Sequence, residues 1–158
     1  METERSVPAL VLRLTLLALC GAAGAVLGVP ELWVCLVAGA VVAGWPHPIL
    51  LIAAIGTLVG MFAVGGELGW QLPVLVLLTH AALRIGVVAD AVSWRARIEV
   101  AVLRDAVPGF LAVQAVAQGA AALALALEGA APVPWLVVGA VAALAVLCWV
   151  VVGRLRRT

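Results

Sequence analysis

The chain is 158 residues long, 66% hydrophobic and 11% charged, with a mean hydropathy of +1.28 and a formal net charge of +1. Soluble domains are about half apolar and about a quarter charged, and a water-soluble fold of this length cannot hide so much apolar surface. This composition excludes an ordinary soluble domain; the total charge by itself says nothing about partners, and no nucleic acid is expected as one. The expected fold class is all-α: a polytopic membrane helix bundle of about six transmembrane helices, forming a single domain with the lipid bilayer as its solvent.

About 20 apolar residues span the hydrocarbon as a helix. The first run, residues 8–28, opens on Pro8, which suits a first helical turn because its missing N–H would have no partner there. Ala23-Gly24-Ala25 fits a small-x-small cleavage site, but Glu2 and Glu4 dilute the positive end and Arg13 interrupts the apolar stretch. The expectation is a retained first helix, ended by Val29-Pro30-Glu31.

The second run, 32–44, and the third, 49–65, are short and flank Trp45-Pro46-His47-Pro48. They are read either as two thin crossings or as a re-entrant hairpin that turns at His47, which must then be covered by protein. The fourth run is 73–92, and a polar connector follows at 93–105. The fifth run, 106–127, carries Gln114 and Gln118. A Pro- and Gly-rich turn precedes the sixth run, 135–153, and the chain ends in Arg154-Leu155-Arg156-Arg157-Thr158.

All basic residues are Arg, and their placement sets the orientation. With the N-terminus inside, the inner segments hold Arg5, then Arg95, Arg97 and Arg104, then Arg154, Arg156 and Arg157. The outer loops hold Glu31, Glu67 and Glu128. Six tryptophans lie near predicted span ends, as an aromatic belt requires. The expected location is a bacterial inner membrane, with both termini cytoplasmic. Small residues four apart (Gly24 with Gly28, Gly39 with Ala43, Gly56 with Gly60, Ala115 with Gly119, Gly139 with Ala143) predict close helix packing, because apolar burial alone does not drive association in lipid.

Intramembrane charge is costly and calls for a reason. His80 and Arg84 share one face of the fourth helix, and Gln114 and Gln118 share one face of the fifth. Counted from the connector between them, Arg84 falls level with Gln114 and His80 with Gln118. The structural reading is interhelical hydrogen bonding that locks the register. The functional reading is a guanidinium left to bind an anionic ligand, a lipid headgroup or an acidic residue of another subunit. A proton path would require a carboxylate at that depth, and Asp90 lies nearer the cytoplasmic edge.

The connector reads as a short amphipathic helix, with Trp94, Ile98, Ala101 and Val102 on one side and Arg97 and Arg104 on another. Trp94, Arg95, Arg97 and Arg104 are the candidate contacts to lipid or to a partner protein.

Cys20, Cys35 and Cys148 sit in separate apolar runs without C-x-x-C spacing, which points to buried, space-filling thiols and to no metal site. Phosphate-loop, H-E-x-x-H and G-x-S-x-G patterns are missing, and paired carboxylates are missing too. No enzyme and no cofactor is expected. The expected role is a non-enzymatic subunit or accessory factor of a membrane complex, with another membrane or cytoplasmic protein as its partner. The alternative is a small transporter or substrate-capture component for an anionic or polar solute. In gross shape alone, a nearly loopless bundle of about six helices is similar to the substrate-binding subunits of energy-coupling-factor transporters, which would imply solute capture.

Overall fold

The structure, a computed structural model, describes residues 6–65 and 69–127. The sixth run, 135–153, lies outside the described residues, as do Cys148, the terminal arginines and the loop positions Glu67 and Glu128. The chain divides into two units after Ala126, and all the described residues except Leu127 belong to the first. It is built of β1 (Ser6–Pro8), α1 (Ala9–Leu27), α2 (Val29–Gly44), α3 (Pro48–Gly65), α4 (Gln71–Asp90), β2 (Arg97–Glu99) and α5 (Val100–Ala126).

Three of these helices, α1, α4 and α5, are long and apolar enough to cross a membrane, which supports a membrane protein. At 16 residues α2 is shorter, and the apolar stretch Pro48–Phe62 of α3 is shorter as well.

One residue, Gly28, joins α1 to α2. Its φ of 153° is the only positive one among the described residues and lies where a side chain would clash. Gly28 donates its N–H to the Gly24 carbonyl and accepts from Leu32, so it closes one helix and opens the next. The break expected over Val29-Pro30-Glu31 is therefore a single residue. Val29 and Pro30 belong to the first turn of α2, where Pro needs no donor and Glu31 complements the helix N-terminus.

The α1–α2 pair is the tightest contact, and glycine makes it so. A Cβ on Gly24 would lie 2.7 Å from both the Leu32 Cα and the Cys35 Cβ, and one on Gly39 would lie 2.7 Å from the Cys20 Cβ. Gly56, Gly60 and Gly119 have open space where a Cβ would be. The small-residue pattern thus marks a close helix contact on α1 and α2, while Gly56 and Gly60 of α3 and Gly119 of α5 face away from the described helices.

The core draws one buried side chain from each of four helices: Leu16 of α1, Val42 of α2, Leu51 of α3 and Ala82 of α4. Gly86 lets Leu51 close onto α4. A second cluster joins Leu12 of α1, Ala89 of α4 and Ile98 of β2. By contrast, α5 buries only Gln114 and Ala121, so most of its apolar surface remains uncovered by the described residues.

The connector departs from the expected amphipathic helix. Residues 91–96 form turns, Arg97–Glu99 is a strand, and α5 starts at Val100 rather than at Ala106. Arg97-Ile98-Glu99 alternates out-in-out, a strand's period of two, and only Ile98 is buried. The strand pairs antiparallel with β1, setting Val7 against Ile98, and the Ala9 N–H extends the ladder to the Ala96 carbonyl. That last bond engages a donor that the first turn of α1 would otherwise leave open. Long-range strand pairing to the N-terminus wins over the local helical periodicity of 93–105.

Candidate functional site

The polar side chains of α4 and α5 meet, in a register about one helical turn from that counted on the sequence. His80 Nδ1 lies 2.8 Å from Gln114 Oε1, and the His80 ring stacks on Phe110 at 4.7 Å between centroids. With its proton on Nδ1, the imidazole donates to the amide oxygen. Gln118 reaches further toward the start of α4, where its Nε2 donates to the Pro73 carbonyl at 2.9 Å. Gln114 thus engages His80 and not Arg84, and Gln118 engages backbone and not His80. The sequence count treated the connector as a symmetric turn, whereas strand β2 lengthens one arm of it.

Gln114 is 7% exposed, and its Nε2 has no partner among the described residues. Its burial means that the amide is held chiefly by the one bond to His80. Arg84 lies apart from this cluster. It is exposed and lines an apolar groove between α4 and α5. The four residues singled out on these helices therefore divide into a helix-locking set (His80, Gln114 and Gln118) and one outward-facing cation.

The interior offers little room. The cavity enclosed by α1, α2, α3 and α4, next to Cys20, Cys35 and Thr79, has a volume of about 30 Å³, space for about two waters. Among the described residues no cluster of three metal-ligating side chains occurs.

Comparison with family models, with curated proteins and with solved structures finds no match to this chain. Its chemistry therefore has to be argued from the side chains themselves.

The most heavily engaged charged residue is one to which the sequence pointed only weakly. Arg13 of α1 is 4% exposed. Its guanidinium donates to the carbonyls of Ala43 at 2.8 Å and Gly44 at 3.3 Å, at the end of α2, and to that of Val92 at 3.4 Å, just past α4. The last carbonyls of a helix have no intrahelical donor and carry its negative pole, so the cation serves the end of α2 and also ties it to the segment that follows α4. Trp94 covers the guanidinium, with its ring centroid 4.0 Å away. The available signal was an Arg inside an apolar run together with a connector Trp at the same end of the bundle.

The connector residues have different surroundings. Trp94 holds Arg13 and is about half exposed, while Arg95, Arg97 and Arg104 are exposed. An open cleft beside Arg13 and Trp94 is also lined by His47 and Asp90. His47 thus lies at the same end of the bundle as the connector. At the opposite end Gln71 Nε2 donates to the Val26 carbonyl at 3.1 Å, tying the start of α4 to the end of α1.

Proposed function

We propose that this chain is a small multi-pass protein of the bacterial inner membrane, with both termini cytoplasmic, that serves as a non-enzymatic subunit or accessory factor of a membrane complex. One observation carries the reading: His80, Gln114 and Gln118, polar groups on facing helices, bond to each other or to backbone rather than converging on a cavity. The larger hollows, beside Arg84 and beside Arg13, open at the surface, and the first is walled almost wholly by apolar side chains rather than by convergent polar groups. The surface left for a partner includes the exposed arginines of the connector and the side of α5 that the described residues do not cover.

His47 beside Asp90 and Trp94 supports two crossings by α2 and α3 rather than a turn in mid-membrane. The arginines of the connector lie at that same end, which the Arg-rich side assigns to the cytoplasm.

The test is purification from the native membrane in mild detergent. A second membrane protein should accompany the chain in fixed stoichiometry, and the chain should be degraded when that protein is deleted. If the isolated chain instead travels alone and binds a small solute, the subunit reading is overturned.

A further inference from the structure

The groove beside Arg84 has a volume of about 350 Å³ and is walled by Ala81 and Val88 of α4 and by Leu103, Ala106 and Phe110 of α5. Among the described residues that line it, Arg84 alone carries a charge. We propose that this groove holds one anionic phospholipid, its phosphate on the Arg84 guanidinium and an acyl chain along the apolar wall. The proposal rests on the membrane placement argued above, but not on the subunit role.

Depth favours this occupant. Arg84 precedes Asp90, the last residue of α4, by six positions, or about 9 Å along the axis. Headgroup regions are roughly 5–7 Å thick on each side of the hydrocarbon. With Asp90 and Arg104 among the headgroups, the Arg84 backbone lies just inside the hydrocarbon boundary. An arginine there reaches the boundary by extending its side chain, and the phosphates of the headgroup layer are the anions it meets. A phosphate ester reaches that level only from the headgroup layer, and a tail is what the remaining wall of the groove accepts. A soluble anion would gain the charge contact while leaving the apolar wall unfilled.

The position of the neighbouring groups agrees. His80 is bonded to Gln114, so it does not compete for the phosphate, and its ring braces Phe110 at the inner end of the groove. Arg97 and Arg104, both exposed on the connector side, add positive charge toward the headgroup layer.

Native mass spectrometry of the full chain, released from detergent with added phosphatidylglycerol or phosphatidylcholine, tests this. Wild type should retain one phosphatidylglycerol in preference to phosphatidylcholine. Arg84→Leu should lose that preference by about tenfold, as removal of a charge-assisted contact implies, and Arg84→Lys should keep most of it. Ala106→Phe, which fills the groove without touching the charge, should lower retention of both lipids. Equal retention of the two lipids by wild type would overturn the proposal, as would unchanged preference in Arg84→Leu. Displacement of the lipid by soluble glycerol phosphate would also overturn it, because the site would then read the anion without its tail. Absence of any co-purifying protein together with the expected lipid preference would sink the subunit role alone, so the two failures are distinguishable.

Discussion

The guanidinium of Arg13 lies under the indole of Trp94, 4.0 Å from the ring centroid, although the two residues are far apart in the chain. Trp94 thereby shields a cation that bonds the closing carbonyls of α2 and the segment just past α4. The helices α1 and α2 and the segment that follows α4 share this one side chain. Arg13 is thus the fastener at the connector end of the bundle, as Gln71 is at the other end.

Replacing Arg13 by Leu should therefore be among the most damaging single changes. It removes the donors to the buried Ala43 carbonyl and to the part-buried carbonyls of Gly44 and Val92, a loss of roughly 2–4 kcal/mol. Trp94→Ala removes only the cation–π contact at a half-exposed site, worth about 0.5–1 kcal/mol. Thermal unfolding in detergent of the two single variants and the double variant checks this. Once Arg13 is gone, Trp94→Ala should cost little more, and fully additive losses would contradict the contact.

The His80–Gln114 bond makes a second prediction, and it discriminates between registers. A double-mutant cycle of His80→Ala and Gln114→Ala should give a favourable coupling of about 0.6 kcal/mol, the mean for interhelical hydrogen bonds in bilayers. The same cycle on Arg84 and Gln114 should give a coupling near zero. The reverse result would restore the register counted from the sequence.

That reversal shows what the sequence carried and what it did not. The apolar runs placed α1 to α5 to within a few residues at most ends, because apolar run length is a one-dimensional signal. Residue types also marked His80, Gln114 and Gln118 as polar groups in need of partners. Which partner each finds depends on the path of the connector. That path depends on strand Arg97–Glu99 pairing with Ser6–Pro8, across nearly the whole of α1 to α4. Three residues with one buried Ile98 give too short a pattern to outweigh the helical spacing around them. Arg13 was obscured for a related reason: near an N-terminus, an arginine reads as a topology signal, and its true acceptors are backbone carbonyls, which no residue type announces.

Glycine positions supply a third prediction, with an internal control. Gly24→Val should block folding, because even its Cβ would meet the Leu32 backbone at 2.7 Å and α1 could not stay against α2. Gly56→Val, in open space on α3, should insert and fold with a change within about 1 kcal/mol. Yield of monodisperse protein after size-exclusion chromatography separates the two. Equal behaviour would mean that the α1–α2 approach is looser than the glycines imply.

The proposed crossing by α2 and α3 gives the last prediction, and side-specific labelling reads it directly. In a background with Cys20, Cys35 and Cys148 replaced by Ala, single cysteines are placed at His47, Arg95 and Glu31. His47 and Arg95 sit at one end of the bundle, since His47 shares its cleft with Trp94. Glu31 opens α2 at the other end, next to Gly28. A membrane-impermeant maleimide added to intact cells should label Glu31→Cys only. Added to inside-out vesicles, it should label His47→Cys and Arg95→Cys. If His47→Cys resists labelling from both sides while Arg95→Cys reacts, the chain between α2 and α3 turns within the membrane. The cleft that joins His47 to Trp94 would then have to be closed to water. Labelling of His47→Cys and Arg95→Cys from opposite sides would be a stronger failure, because Arg13 could not then hold the ends of α2 and α4 together.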